Sequence, residues 1–394
     1  MERLQHGVVI VGGGIAGCTL AILLAERGVA VTLVERQQRW QFHGSGIFVY
    51  SNGLAALEKV GVLPAILDSG FAIAGGRNIY LDHRGDAITD TFYPSVPGTQ
   101  LPPILGIRRA ELHRILLARL QALGVQVRLA STVLSVEDRP ENLALQVELD
   151  NGERLQASVL VGADGVRSQM RARLFGAIEP HDTGFGVWRS IHRRPAQLVD
   201  KIMMMGVGKR LGIMPISQEQ LYVYATTNEP GHPHYDPASL HLTMREKFAE
   251  FGGPARMFLD DLRDPSQAFY TVVEEVRLPL PWSRGRITLV GDAAHASTPF
   301  MGQGGAMAME DSIVLADMLC RDAGDGVALT LAAFGRHRQP KCTFVQDVSR
   351  RVGEAGGLES ADTCAARNVR MREQAQADVD HFYRSLHAFD MATA

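Results

Sequence analysis

The feature that most constrains the fold is a glycine-rich loop between two apolar segments near the start of the chain. Residues 8–36 read VVIVGGGIAGCTLAILLAERGVAVTLVER. The β-branched run that ends at Val11 predicts a buried strand, and the run from Ile15 to Arg27 predicts a helix that Gly28 ends. The segment VAVTLVE predicts a second strand. About thirty residues therefore predict a βαβ unit, the context in which a glycine-rich loop acquires a functional meaning.

The loop carries Gly12, Gly14 and Gly17 in the order Gly-x-Gly-x-x-Gly. In such a loop the first glycine makes a tight turn, the second lets the backbone approach a pyrophosphate, and the third lets helix and strand pack closely. The phosphates would face the N-terminus of the helix, and Glu35 is spaced to accept hydrogen bonds from a ribose. A glycine-rich packing turn would not explain Glu35, so the loop is predicted to bind a dinucleotide. The predicted contacts in this unit are Gly12, Gly14, Ile15, Ala16, Gly17, Glu35 and Arg36.

The composition is that of a globular protein with more than one domain. The chain has 394 residues, of which 46% are apolar and 21% charged, and this length favours two joined domains. The net charge of −3 and the scattered basic residues give no reason to expect a nucleic-acid partner. The four cysteines show no metal-ligand spacing, which favours free thiols and a cytoplasmic location. Neither a signal peptide nor stable membrane insertion is predicted.

The remaining patterns predict a dinucleotide domain that is interrupted by sheet-forming segments. Residues 78–91 alternate like two short strands around a turn, and residues 201–227 contain three strand-like runs. One helical segment is predicted near residues 240–251, and a long helix near residues 304–320. We therefore predict a dinucleotide domain at 1–75, 102–182 and 274–345, a sheet domain at 76–101 and 183–273, and C-terminal helices at 346–394.

Two later motifs narrow the identity of the dinucleotide. DGVRSxxR begins at Asp164, and GDAAH begins at Gly291 and is followed by Pro299. A carboxylate at a strand end, such as that of Asp292, can bind hydroxyl groups. The glycines of residues 302–305 would expose N–H groups at the positive end of a helix. Such a helix end suits a ring system that becomes negatively charged on reduction, as a flavin does.

In this order the three motifs resemble those of the single-component FAD-dependent aromatic hydroxylases of the p-hydroxybenzoate hydroxylase and salicylate hydroxylase type. The resemblance covers residues 8–317. It implies an α/β fold with a Rossmann-like FAD-binding domain of the GR2 type, interrupted by a mostly antiparallel substrate-binding sheet, with helices at the C-terminus. IRRAELHRILL resembles the family's helix-opening arginine motif, and GSGI at residues 44–47 resembles its loop beside the isoalloxazine ring. The further FAD contacts that it implies are Gly46, Ile47, Arg109, Val133, Asp164, Gly291, Asp292, Pro299, Gly302, Gly304, Gly305, Ala306 and Met307.

The resemblance also implies a reaction. The single Gly-x-Gly-x-x-Gly fits a family in which NADH or NADPH binds transiently and reduces non-covalently bound FAD. Reduced FAD and O2 then form a C4a-hydroperoxide, which hydroxylates a small aromatic or N-heteroaromatic acid or phenol. The site must be closed and apolar, because water would destroy such an intermediate. The enzyme is expected to be a monomer or a homodimer.

The substrate residues are less well defined by the sequence. Segment KRLGIMPI lies where related hydroxylases often carry His and Tyr, but Arg210 and Met214 stand there, which leaves the identity of any base open. Arg210 is expected to bind an anionic substrate group through charge-assisted hydrogen bonds, although it could instead extend to solvent from a strand edge. Two residues, Arg210 and Pro299, are the candidate catalytic residues. The predicted pocket residues are Phe48, Met214, Tyr224 and Phe300.

Several of these residues have simpler interpretations. His295 is more typical of a structural hydrogen-bonding group than of a base. Arg167 and Arg171 could form a solvated face, and Arg109 could be an exposed charge at a helix start. Two residues also depart from the family pattern, because Phe48 stands where some pyridine hydroxylases have His and Ala306 replaces a common Asn.

Two other functions remain open from the sequence. The same motifs serve tailoring monooxygenases that act on larger polycyclic or antibiotic-like substrates, and a flavin-binding protein without turnover would also keep the fold. Intact Asp164, Asp292 and Pro299 favour turnover. A flavin-dependent halogenase is disfavoured, because Trp188-Arg189-Ser190-Ile191 matches the W-x-W-x-I-P pattern of those enzymes poorly.

Overall fold

The computed structural model describes residues 4–41, 45–139, 144–231, 233–321 and 326–391. The strands of its N-terminal half are β1 (Val8–Val11), β2 (Val31–Val34), β3 (Gly46–Tyr50), β4 (Phe71–Ile73), β5 (Arg77–Asp82), β6 (Ala87–Phe92), β7 (Ile104–Arg108), β8 (Gln126–Arg128), β9 (Val133–Arg139), β10 (Ala144–Leu149), β11 (Arg154–Ala157) and β12 (Val159–Gly162). The later strands are β13 (His181–Arg193), β14 (Lys201–Met205), β15 (Lys209–Pro215), β16 (Gln220–Asn228), β17 (Ala268–Glu275), β18 (Ser283–Arg284) and β19 (Ile287–Leu289).

The described α-helices connect these strands and close the C-terminal part of the chain. They are α1 (Ile15–Glu26), α2 (Ser51–Lys59), α3 (Leu63–Ser69), α4 (Arg109–Ala122), α5 (Gln169–Phe175), α6 (Leu240–Lys247), α7 (Gly253–Asp260), α8 (Asp292–His295), α9 (Gly304–Cys320), α10 (Val327–Gly356) and α11 (Ala361–Met391). Short 3-10 turns occupy Pro237–Ser239, Pro265–Gln267 and Pro299–Met301. No helix in the described ranges combines the length and the apolar character needed to cross a membrane.

The glycine-loop unit forms the centre of a six-stranded sheet with the strand order β18-β19-β12-β1-β2-β8. Strand β1 pairs in parallel with both β12 and β2. The strands beside it are buried, which explains why they read as continuous apolar runs in the sequence. Helix α1 ends before Gly28, whose φ of +75° lies in the left-handed region where glycine is favoured. The predicted βαβ unit is therefore confirmed.

The second large sheet has seven strands in the order β17-β13-β16-β15-β14-β5-β6. Its neighbouring strands are antiparallel except for the parallel pair β14 and β5. Buried residues of this sheet, such as Trp188 and Leu211, share a hydrophobic core with Phe248 and Phe258 from the region of α6 and α7. A Rossmann-like sheet, a mostly antiparallel second sheet and C-terminal helices together confirm the predicted fold class.

The predicted helix at residues 240–251 is shorter than expected. Helix α6 ends at Lys247, and a second helix, α7, begins at Gly253. Between them Gly252 and Gly253 approach the turn that joins β5 and β6: a Cβ on Gly253 would lie 2.9 Å from the Cα of Gly85. Because Gly253 also has a positive φ of +49°, the chain bends there and one continuous helix cannot form.

The two C-terminal helices pack within the chain on different sheets. Helix α10 packs against α9, beside the six-stranded sheet, whereas α11 lies along β6, the edge strand of the seven-stranded sheet. The side-chain amide of Gln376 accepts a hydrogen bond from the N–H of Phe92 (2.7 Å) and donates one to its carbonyl oxygen (3.1 Å). Helix α11 therefore covers an edge that would otherwise present unpaired backbone groups.

Candidate active site

The three glycines of the first motif differ in what surrounds them, as their predicted roles require. Gly12 has a φ of +106°, and a Cβ there would lie 2.4 Å from the Ala163 carbonyl oxygen. A Cβ on Gly17 would lie 1.9 Å from the Gly12 carbonyl oxygen. A Cβ on Gly14, in contrast, would meet no atom of the described chain within 4 Å. There is therefore no room for a side chain at the turn of Gly12 or at the helix contact of Gly17. At Gly14, where a pyrophosphate would approach, the loop is open.

The loop is held by residues that follow the neighbouring strands. The Glu35 carboxylate accepts hydrogen bonds from the N–H groups of Gly13 (2.8 Å) and Gln37 (2.9 Å). Carboxylate oxygens can accept further bonds, so Glu35 can hold the loop and still receive ribose hydroxyls. His113 of α4 places its Nε2 2.6 Å from the Gly13 carbonyl oxygen, and the ring of Trp40 lies edge-on against it. The glycine spacing does not predict this His113 and Trp40 pair.

The second motif acts as a structural clamp, because its side chains form hydrogen bonds that hold neighbouring segments of the chain together. Asp164 accepts hydrogen bonds from the Ser168 hydroxyl (2.5 Å) and the Met170 N–H (3.0 Å), and so fixes the start of α5. Arg171 is buried and donates to the carbonyl oxygens of three residues in separate segments: Val166 (2.8 Å), Ile178 (2.9 Å) and Ala293 (3.1 Å). The interpretation of a solvated face is therefore wrong for Arg171, because Arg171 connects the second motif to the third.

This clamp gives a direct stability prediction. We expect Arg171→Met to lower the free energy of unfolding by about 3 kcal/mol, because three carbonyl groups in or near the core lose their donor. Urea unfolding at neutral pH measures the change. The matched control is Arg167→Met from the same motif, because Arg167 is 71% exposed and its ion pair with Glu274 lies near the surface. Equal losses for the two variants would contradict the clamp.

The third motif brings the remaining parts of the predicted FAD site together. Gly291 has a φ of +60°, and the exposed Asp292 that follows it forms no hydrogen bond or ion pair with other described residues. At the start of α9, a Cβ on Gly304 would meet only the Ser297 hydroxyl, at 3.5 Å. A Cβ on Gly305 would lie 3.5 Å from Ile47 and 3.9 Å from Ile15. The start of α9, strand β3 and the glycine loop therefore converge.

Other predicted FAD contacts lie at this junction or behind it. Arg109 opens α4, and its backbone N–H donates a hydrogen bond to the carbonyl oxygen of Ser45 (3.0 Å), just before β3. Val133 is buried in β9, and its carbonyl accepts a hydrogen bond from Arg173. Ala306 and Met307 are buried in α9. Arg36 is exposed beside Glu35, Pro299 is exposed in the 3-10 turn before α9, and Gly44 of the predicted GSGI loop lies outside the described residues.

The residues present fit a flavin dinucleotide. The loop is open at Gly14, a carboxylate free of protein partners among the described residues stands at Asp292, and small residues begin the α9 helix. The residues that would hold the cofactor are Gly12, Gly14, Ile15, Ala16, Gly17 and Glu35 on the nucleotide side, with Gly46, Ile47, Asp292, Gly302, Gly304 and Gly305 on the flavin side.

A buried ionic network supports the α9 helix from behind. Asp311 accepts hydrogen bonds from the Gly291 N–H (2.8 Å) and the Arg338 Nε (2.7 Å), and its carboxylate lies 2.5 Å from His295 Nε2. Burial opposes the charge of Asp311, but His295 and Arg338 hold its pKa at about 2. Burial also opposes a charge on His295, yet Asp311 raises the pKa of His295 well above its usual range. This pairing supports the interpretation of His295 as a structural group.

A cluster of aromatic rings lies against the loop at Gly302 that precedes α9, which we call the flavin loop. We define the aromatic cluster as Phe48, Tyr50, Tyr80, Tyr93, Tyr222, Tyr224 and Tyr383. Within it the ring centroids of Phe48 and Tyr224 are 4.8 Å apart, and those of Tyr50 and Tyr93 are 5.0 Å apart. A Cβ on Gly302 would lie 3.0 Å from the ring of Tyr50 and 3.5 Å from that of Phe48. The cluster therefore borders the loop that would contact the flavin.

Two buried cations accompany these rings. Lys201 is 4% exposed and donates hydrogen bonds to the hydroxyl groups of Tyr93 (2.8 Å) and Tyr50 (3.3 Å). Arg210 is 5% exposed, donates to the Thr226 hydroxyl (3.3 Å), and has its guanidinium 4.5 Å from the centroid of Phe300. Neither forms an ion pair with a carboxylate in the described part of the chain. Arg210 is therefore not extended to solvent, and that alternative interpretation is wrong.

The predicted pocket residues do not all lie in the same place in the structure. Phe48 and Tyr224 are in contact inside the aromatic cluster, and Phe300 covers Arg210. Met214 is fully buried and packs against Gly106 of β7. The sequence did not single out Lys201, Tyr50, Tyr93 or Tyr383. The available signal was weak: Lys201 begins the otherwise apolar run KIMMM, which is unusual for a strand that lies inside a sheet.

The chain is similar to known proteins over most of its length. A model of the FAD binding domain family matches residues 5–348. The aurachin C monooxygenase/isomerase of Stigmatella aurantiaca is 32% identical over 383 residues, covering 95% of each chain. The 2-heptyl-3-hydroxy-4(1H)-quinolone synthase of Pseudomonas aeruginosa strain UCBPP-PA14 is 33% identical over 370 residues, covering 93% of each.

A solved structure shares the fold over nearly the whole chain. Klebsiella pneumoniae HpxO, complexed with FAD and uric acid, superposes with a TM-score of 0.86 at 22% identity and covers 97% of each chain. The family match spans the glycine loop, the Asp164 clamp and the α9 helix, whose geometry fits a flavin. The chain therefore belongs to the FAD binding domain family and is an FAD-dependent monooxygenase.

Proposed function

We propose that the enzyme uses NADH or NADPH and O2 to hydroxylate a small aromatic or N-heteroaromatic acid or phenol, whose anion is held beside the aromatic cluster. One observation carries this proposal. Arg210 is a buried cation and Lys201 a buried amine, neither has a carboxylate partner among the described residues, and both lie among aromatic rings that border the flavin loop. Buried charges are normally paired, and an anionic aromatic ligand would pair with the Arg210 guanidinium.

The names of the relatives support this substrate class. The quinolone synthase and a 3-amino-4-hydroxybenzoate 2-monooxygenase of Streptomyces platensis, which is 31% identical over 396 residues, are named for a heteroaromatic and a hydroxylated aromatic acid. Both ring types carry an acidic hydroxyl, ring N–H or carboxyl group that can become anionic. This agrees with a site that offers positive charge and aromatic surface.

The proposed chemistry divides between the cofactor and the chain. Bound FAD would accept electrons from the nicotinamide and deliver oxygen to the substrate. The aromatic cluster would exclude water and hold the substrate ring by its face and edges. The Arg210 guanidinium would bind the anionic group and orient the ring through charge-assisted hydrogen bonds.

The function is tested on the purified protein. Its visible spectrum should show bound flavin, and oxidation of NADH and NADPH should be followed with and without air in the presence of hydroxylated benzoates, pyridines and quinolones. We expect one compound class to accelerate flavin reduction, consume O2 and yield a hydroxylated product. Nicotinamide oxidation that no compound accelerates, or that yields only peroxide with every compound, would contradict the proposal.

Arg210 provides a sharper prediction. We expect Arg210→Met to raise KM for an anionic substrate by about tenfold to a hundredfold, because the lost bonds to a charged group are worth about 1.5–3 kcal/mol. KM for the neutral methyl ester of a carboxylate substrate should change little. The control is Lys209→Met, one residue away, because Lys209 pairs with Glu250 outside the aromatic cluster. An unchanged KM and kcat for Arg210→Met would exclude this role.

A further inference from the structure

Lys201 has the surroundings of a proton acceptor. Its amine stands at the start of β14 with two tyrosine hydroxyl groups within hydrogen-bond distance and the ring of Tyr93 4.9 Å from its nitrogen. The charged or titratable groups that face it come from several elements, and none of those described is a carboxylate. These groups are Tyr50 at the end of β3, Tyr93 after β6, Arg210 on β15, and, around them, Tyr80 on β5, Tyr224 on β16 and Tyr383 on α11.

The proton affinities of these groups separate Lys201 from the rest. Burial raises the pKa of Tyr50, Tyr93 and Tyr224, so these phenols keep their protons near neutral pH. Burial and the nearby charge of Arg210 lower the pKa of Lys201 to about 7. An amine in this state is a neutral acceptor for part of the time at neutral pH, as a general base must be.

We propose that Lys201 accepts the proton of the substrate's ring hydroxyl or ring N–H, and so turns a neutral substrate into its anion inside the aromatic cluster. The O–H or N–H bond of the substrate breaks, its electron pair stays on the ring, and a new N–H bond forms at Lys201 Nζ. No charge enters or leaves the site. The products are an ammonium group and an electron-rich anionic ring, which Arg210 stabilises. This role rests on the proposed function and supplies the base that segment KRLGIMPI lacks.

The arrangement explains why a lysine can serve here. A permanently charged lysine in this apolar site would cost much free energy, whereas a neutral amine still has the two hydrogens that it donates to the two tyrosine hydroxyls. Transfer of the substrate proton creates the opposite charges together, so the new ammonium has its counter-ion from the start. The buried His295 cannot take this role, because its pairing with Asp311 raises the pKa of His295 and keeps the imidazole protonated.

The test is the pH dependence of hydroxylation by the FAD-loaded enzyme with two matched substrates. One keeps its ring hydroxyl neutral across the assay range, and its fluorinated analogue is already ionised. With the neutral substrate, wild-type kcat/KM should rise as pH rises through about 7, because only the neutral amine accepts a proton. Lys201→Met should lose this dependence and about a hundredfold in rate at pH 7, and should recover as the substrate itself ionises at higher pH.

The second substrate separates this role from a structural one. Lys201→Met should hydroxylate the ionised analogue at close to the wild-type rate, whereas a packing defect would slow both substrates equally. Lys209→Met should keep the wild-type profile for both. Lys201→Met is expected to fold and retain FAD, because methionine fills the same volume without a buried amine.

A direct measurement completes the test. In holoenzyme labelled with 13C at lysine Cε, one resonance absent from Lys201→Met should titrate near pH 7 without substrate, and bound neutral substrate should move it to the protonated position. An amine that stays protonated to pH 9, or equal losses on both substrates, would overturn the role of Lys201 alone. A wild-type enzyme that hydroxylates no aromatic compound would instead overturn the proposed function.

Discussion

Replacing Gly14 by valine is expected to abolish FAD retention while the chain still folds. The backbone of Gly14 is extended, with φ −77° and ψ −168°, which valine adopts readily, and a Cβ there meets no atom of the described chain within 4 Å. The isopropyl group would occupy the space that the pyrophosphate needs. We expect the dissociation constant for FAD to rise at least about a hundredfold, a loss of about 2.7 kcal/mol. Flavin fluorescence during titration of the apoprotein measures it.

A second glycine of the same loop serves as the contrast. A Cβ on Gly17 would lie 1.9 Å from the Gly12 carbonyl oxygen, so Gly17→Ala forces helix α1 away from β1. This variant should lose folding stability as well as FAD, and circular dichroism with urea unfolding distinguishes the two outcomes. A Gly14→Val protein that bound FAD with wild-type affinity would show that the cofactor does not cross the loop at Gly14.

The second large effect is expected from Asp311→Asn. Asp311 is fully buried and receives hydrogen bonds from Arg338 and Gly291 while it pairs with His295. Asparagine would leave the charges of Arg338 and His295 without their shared counter-ion. Breaking one side of a buried pair costs about 3–5 kcal/mol, and urea unfolding should show a loss of this size. The control, Asp317→Asn on the same helix, removes a partly exposed pair with Arg27 and should change stability little.

The deficit of Asp311→Asn should depend on pH in a defined way. The pKa of Asp311 is lowered in the folded state, so its stabilising effect is present above about 3.8 and is lost as pH falls toward about 2. The pKa of His295 is raised, so its effect is complete below about 6.5 and is lost as pH rises through the folded value. The difference between wild type and variant should therefore be largest from about pH 4 to 6.5. A difference that grows steadily above pH 8 would contradict this assignment.

The flavin side of the site was predictable because its constraints are local. Within six consecutive positions, a positive φ at Gly12 and a close contact at Gly17 require glycine for the fold, and the open face at Gly14 leaves room for a pyrophosphate. The spacing of the glycines in the sequence therefore predicts the geometry of this loop directly. The sequence pattern did not predict the helix break at Gly253, because the break is caused by a contact with Gly85, which is distant in the sequence. The residues near 250 give no indication of this contact.

The substrate side was only partly predictable for the same reason. Arg210, Phe48 and Tyr224 could be selected by their position relative to the motifs, but the partners of Lys201 come from Tyr50 and Tyr93 in separate segments. Tyr383 reaches this cluster from the last helix, and its ring centroid lies 6.2 Å from those of Tyr50 and Tyr93. Three-dimensional packing, rather than sequence spacing, assembles this group.

The strand order of the six-stranded sheet has a consequence for synthesis of the protein on the ribosome. Strand β1 emerges first, yet it lies between β2 and β12, and β12 in turn needs β19 at residues 287–289. A nascent chain therefore leaves the free edge of β12 exposed until β19, at residues 287–289, has been made, a situation that favours aggregation and chaperone binding. Helix α9 follows still later, at residues 304–320, so the complete set of predicted cofactor contacts exists only after this helix has been made.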